Sequence, residues 1–212
     1  MFVPIKLKKR DGKIVYEREN VKKILPECEI IVNPVEPINL PKNITRFLEI
    51  DFSPIVIKPN GVETIYLKFP IEIGVFAKDS DRMIVIDVFA FEKPKYTLYG
   101  DPKNGVVCRW FQSDVYYEIP EVDPSKHGVL KLVIKNGKDW AEVGKVVLDC
   151  YAMKIYYDKF ASCWAEMKIL SKISAETTFV DKPIAEGMKK AAELYTTRRL
   201  MGKSFIMEWG LI

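Results

Sequence analysis

Hydrophobic and polar positions alternate with a period of two along much of the chain. In residues 62–76, VETIYLKFPIEIGVF, the side chains of Ile65, Leu67 and Phe69 share one face, and Ile71, Ile73 and Val75 continue in steps of two. Residues 128–148, GVLKLVIKNGKDWAEVGKVVL, repeat the scheme on both sides of a polar turn, Asn136-Gly137-Lys138-Asp139. Successive side chains of a strand point to opposite faces, so this alternation predicts strands with one face turned to a core. The predicted fold is mainly β: a tandem β-sandwich, immunoglobulin-like or jelly-roll-like, with one C-terminal α-helix.

Turn chemistry divides the pattern into elements. Residues 2–18 read as a hairpin around Arg10-Asp11-Gly12, because Gly accepts a positive φ. Four prolines between 26 and 41 predict an extended linker or short edge strands and argue against a helix there. Strands are expected near 46–52, 54–58, 62–69, 71–77 and 83–91. Another hairpin spans 95–99 and 105–119, across the loop Gly100-Asp101-Pro102-Lys103-Asn104-Gly105. The stretch EVDPSKHG after Pro120 reads as a connection, giving an N-terminal sandwich subdomain over 1–122 and a C-terminal one over 123–212. In the second part, strands are expected at 129–135, 140–148, 150–158, 162–173 and 204–212. Pro183 suits a first helical turn, and Ile184, Met188, Ala191, Ala192 and Tyr195 recur at helical spacing. A helix is therefore expected over about 183–200, with Arg198, Arg199 and Gly202 at its end.

Composition narrows the class. The chain has 212 residues, 48% hydrophobic and 29% charged, enough to bury a core without metal or disulfides. Its net charge of +4 is a mild excess of 33 basic over 29 acidic residues and does not by itself imply nucleic acid. The longest apolar run, MIVIDVFAF at 83–91, is interrupted by Asp87 and is too short to span a bilayer. The N-terminus does not read as a signal peptide, so a cytoplasmic location is expected. A single glutamine among abundant Lys, Ile and Glu suggests a hyperthermophilic source.

Candidate chemistry is sparse. Cysteines 28, 108, 150 and 163 form no CxxC pair and read as buried free thiols. Cys108 lies beside Arg109, but strand alternation puts neighbours on opposite faces, so a reactive thiolate is not expected. His127 is the only histidine, which leaves no partner for a catalytic triad or a histidine zinc site. Glu118, Glu121 and Asp123 cluster near Pro120 with no sign of shared burial. Lys6, Lys8, Lys9 and Arg10, and the run Arg109, Trp110, Phe111, Tyr116 and Tyr117, meet the nucleic-acid test only in residue type. They read instead as edge lysines and core aromatics. No cofactor or metal ligand set is expected.

The segments LPKN, FLEI, SPIVIKPNG, IYLKFPIEIGV, IDVF and TLYGDPKNGVVCRWFQSDVY, with AAELYTTRRLMGKSFIMEWGL near the end, resemble an archaeal family of uncharacterised proteins. The resemblance covers nearly the whole chain and is most specific at Tyr99, Gly100, Gly105, Arg109 and Ser113. It implies an archaeal source and no activity. The leading functional expectation is a non-enzymatic module that contacts another protein or itself. The alternative is a carbohydrate or small-ligand binder using Tyr99, Asp101 and Arg109, and less favoured is an enzyme using carboxylates or a thiol.

Overall fold

The computed structural model describes residues 4–80, 82–194 and 204–211. The strands are β1 (Lys6–Arg10), β2 (Lys13–Arg18), β3 (Val21–Pro26), β4 (Glu29–Val35), β5 (Phe47–Ile57), β6 (Val62–Pro70), β7 (Glu72–Asp79) and β8 (Arg82–Phe89). They continue as β9 (Lys95–Tyr99), β10 (Val106–Gln112), β11 (His127–Lys135), β12 (Ala141–Asp149), β13 (Tyr156–Tyr157), β14 (Ala161–Ser171), β15 (Ser174–Val180), β16 (Lys189–Lys190) and β17 (Ser204–Met207). The fold is mainly β, as the alternation predicts, and none of its sheets closes into a barrel.

Four sheets form. The meander β1-β2-β3 turns at Asp11 and Gly12, both at positive φ, as the Asp-Gly signal requires. The second sheet is β4-β7-β8, and the third is β12-β5-β10-β9. The fourth runs β16-β13-β14-β11-β6, with β15 added to β14 and β17 to β15. Two pairs are parallel, β5 with β10 and β11 with β14.

The inward positions are those the alternation named: Ile65, Leu67, Phe69, Leu130, Leu132 and Ile134 are fully buried. Each such side chain is worth about 1.5–3 kcal/mol relative to exposure. Close packing also fixes glycines, since a Cβ on Gly128 would lie 2.6 Å from the Phe69 ring.

One expectation is corrected. No helix forms over the described part of 183–200; Gly187 sits at φ 81°, and Lys189 and Lys190 instead pair with Tyr157 and Tyr156. The amide of Ala191 donates to Ile155 O and that of Ala192 to Asn33 Oδ1, so the donors a helix would use serve neighbouring elements. Residues 195–200 of that expectation lie outside the described residues. The turn 136–139 links two sheets: β11 pairs with β6 and β14, while β12 pairs with β5. The pairs β5–β12 and β6–β11 join residues on the two sides of 122.

Candidate functional site

The sequence FLEIDF within β5 places Leu48, Ile50 and Phe52 on one face and Phe47, Glu49 and Asp51 on the other. The first set is buried in the core. On the second face, strand register builds one row of Lys95, Trp110, Glu49 and Val147 and a second of Gln112, Asp51 and Lys145. A bulge between Val143 and Lys145 brings Lys145 opposite Asp51, and re-aiming a side chain is what a bulge does well.

The C-terminal segment roofs part of this face. The Phe205 ring stands 5.0 Å from Phe47 and 6.0 Å from Tyr99, centroid to centroid. The Tyr99 hydroxyl donates to Trp209 O and accepts from Trp209 N, both at 2.9 Å. Gly210 then crosses the Lys145 stem at φ 88°, where a Cβ would lie 2.5 Å from Lys145 Cδ. The half-exposed Trp209 ring is left between two depressions. One, of about 300 Å³, is lined by Glu49, Asp51, Thr97, Lys145 and Gly210. The other, of about 230 Å³, is lined by Asp101, Asn104, Val106, Phe205 and Glu208.

Lys145 Nζ lies 2.7 Å from Glu49 Oε1 and 3.2 Å from Asp51 Oδ1, and Trp110 Nε1 donates to Asp51 Oδ2 at 2.8 Å. Glu49 is 2% exposed. Its Oε2 is closed to water and accepts no hydrogen bond, while Asp51 Oδ1, also closed to water, is held only by the Lys145 ammonium. Burial raises the Glu49 pKa against the hydrogen bond and charge of Lys145. Burial pulls the Lys145 ammonium down, but Glu49 and Asp51 outweigh it and hold it above the ordinary lysine value. Buried acceptors without donors are uncommon and costly, about 1–3 kcal/mol each.

Tyr99 and Asp101 border these depressions, while Arg109 does not join them. Tyr99 faces the same side as Val106, and Arg109 three residues further faces the other side. The Tyr99 hydroxyl is committed to Trp209, and the phenol is buried. Asp101 accepts the amides of Lys103 and Asn104 at 2.8 and 3.1 Å, which hold its carboxyl below the usual range and shape the loop. Arg109, 3% exposed, donates to Glu72 Oε1 at 2.6 Å and Pro37 O at 2.8 Å. It is the cation of a buried pair.

That pair belongs to an acidic interior that sequence reading missed. Glu72 also accepts the amides of Asn39 and Leu40, holding the 36–40 segment against β7. Nearby Glu36 is 3% exposed, and its Oε2 accepts no hydrogen bond. Burial pushes its carboxyl up to about 7, although its own amide, Lys154 and the Leu194 amide favour the charged form. Cys108, Cys150 and Cys163 are buried free thiols, and burial raises all three; Cys108 reaches about 12. His127 lies 3.2 Å from Glu92 at the surface and touches Phe111. No group of three or more metal-ligating side chains occurs among the described residues. No helix among them is long and apolar enough to cross a membrane.

Among known proteins, a family model described as "Protein of unknown function (DUF432)" matches residues 3–208. No curated protein and no solved structure matches the chain.

Proposed function

Because the chain belongs to the DUF432 family, whose function is unknown, we propose a role from the geometry alone: a non-enzymatic binding module that takes a small hydrogen-bond-donating ligand in the groove between Lys145 and Trp209. The observation that carries this reading is a buried carboxylate oxygen without a donor, Glu49 Oε2, beside a groove of about 300 Å³ that Asp51 and Lys145 also line. Small-ligand sites combine a concave surface, an aromatic wall and a few placed polar groups. Here Trp209 supplies the wall, and Asp51, Thr97 and Lys145 supply polar groups at the rim.

A thermal-shift screen of sugars, polyols and small amines, followed by calorimetry, tests the reading. A ligand raises Tm by mass action when it binds only the native state. The expected ligand binds the wild type and binds about tenfold more weakly to Asp51→Asn and Trp209→Ala, the loss of roughly one charged hydrogen bond or one stacking contact. Equal affinity in both variants, or no stabilising compound, would refute it.

A second reading, contact with another protein or self-association, draws on β8. Among the described residues this strand pairs only with β7, and it exposes Met83, Ile84 and Val85 in succession. Exposed apolar residues on an open edge favour strand addition by a partner. Sedimentation over a concentration range tests self-association. Dimers that disappear in Ile84→Lys favour this reading, whereas a monomer at all concentrations counts against self-association through β8.

A further inference from the structure

The chain's positive charge is concentrated in its first sheet. Residues 6–26 contain eight basic and three acidic side chains, a surplus larger than that of the whole chain, so the rest is slightly acidic. Register sorts them by face. Lys6 stands opposite Glu17, which is opposite Lys22; Lys8 opposite Val15, which is opposite Ile24; and Arg10 opposite Lys13, which is opposite Pro26. These nine residues form one face, because paired residues share a side and alternate residues return to it. The other face carries Ile14, Tyr16 and Leu25, which are buried.

The outer face therefore presents Lys6, Lys8, Arg10, Lys13 and Lys22 around a single acid, Glu17. Glu17 is bridged by Lys8 at 3.3 Å and Lys22 at 3.1 Å. Lys6, Arg10 and Lys13 make no ion pair among the described residues. Every residue of β1 is exposed. Alternate residues of a strand stand about 7 Å apart, so Lys6, Lys8 and Arg10 form a regular cationic row, with Lys13 beside its end. An edge needs one or two lysines to discourage strand addition; five cations on one face exceed that need.

We propose that this face binds the phosphodiester backbone of nucleic acid, without reading sequence. Charge complementarity and the regular cationic row favour a polyanion with repeating charges. An acidic protein would not require such a row. An anionic membrane is less suited, because Ile24 is the face's only strongly exposed apolar side chain besides the ring of Pro26. No aromatic residue lies on this face, so bases have nothing to stack on and direct readout is not expected.

The test is fluorescence anisotropy of the full chain with short labelled DNA duplexes over a range of NaCl. Three to four neutralised phosphates give a slope of log K against log salt of about −3. AT-rich and GC-rich duplexes should bind alike. The triple variant Lys6→Glu, Arg10→Glu, Lys13→Glu should lose about tenfold or more in affinity. A control with the same charge change elsewhere, Lys103→Glu, Lys172→Glu, Lys182→Glu, should lose far less. Circular dichroism and thermal melting check that both variants fold; charge-neutral Lys6→Gln, Arg10→Gln, Lys13→Gln serves if the reversal variant does not. Equal losses in the test and control variants would overturn the proposal, as would a flat salt dependence. Binding to phosphatidylserine vesicles without DNA binding would overturn it in favour of a membrane.

Discussion

Replacing Glu36 with glutamine removes one buried titration and leaves the shape of the side chain. Glu36 is 3% exposed, and its carboxyl is raised from 4.5 to about 7. Its folded pKa lies above the unfolded one, so its contribution to stability is full below pH 4.5. That contribution is lost as pH rises from 4.5 to about 7, and the loss is constant above. A tenfold change in an acidity constant corresponds to about 1.4 kcal/mol, so the full penalty is about 3 kcal/mol, of which about 2–3 accrues between pH 5 and pH 8. The glutamine amide leaves a buried N–H without a partner at Oε2, a cost of about 1–3 kcal/mol that does not change with pH. Urea unfolding of both proteins at several pH values between 5 and 8 reads the difference. Glu36→Gln should gain about 2–3 kcal/mol on the wild type across that range, whatever its offset. Glu49 and Glu72 are also raised by burial, but both proteins carry them and their titrations cancel. Parallel stability curves would refute the reasoning, because they would mean that Glu36 is ionised and satisfied in the native state.

Tyr99→Phe removes both hydrogen bonds to the Trp209 backbone and should cost about 1–2 kcal/mol; hydrogen exchange at the Trp209 amide should accelerate, and an unchanged rate would contradict the assignment. Arg109→Met strands Glu72 as a buried charge and should cost about 3–5 kcal/mol in urea unfolding, whereas a loss below about 1 kcal/mol would mean that the pair contributes little. Under native conditions a thiol reagent should modify Cys28 quickly and Cys108, Cys150 and Cys163 only after unfolding; more than one fast thiol would contradict their burial.

What was legible in the sequence was local. Asp11-Gly12 marked the first turn, and the alternation of β6, β11 and β12 gave both the element type and the buried face. Neighbouring pairs were legible too, β1 with β2 and β9 with β10, but long-range pairing was not, because it depends on which distant faces meet. The polar turn 136–139 was legible as a turn, yet its flanking strands enter different sheets. The residues 184–192 carried helical spacing, but spacing does not report the competing partners Asn33, Ile155 and Tyr156. The groove was half-legible. Tyr99 lines both depressions and Asp101 one of them, while Glu49 and Asp51 were not among the candidate residues. The burial of Glu49 beside Lys145 depends on a register shift between β5 and β12 and on a roof at 209–210, which lie roughly 90 and 160 positions away in sequence. The i, i+2 acid pair inside an apolar strand was the one available signal.

The crossing of residue 122 by two strand pairs bears on how the chain assembles. β5 waits for β12, and β6 for β11, so each central strand lacks a neighbour until the later half of the chain is present. Pairings this distant close large loops and slow folding. A nascent first half would display open β5 and β6 edges, the kind of surface that chaperones shield and aggregates exploit. The same geometry makes 120–126 a useful place to divide the protein: segments 1–122 and 123–212, produced together, would each supply the strand the other lacks. Neither is expected to fold alone, and their reassembly would serve as a split reporter.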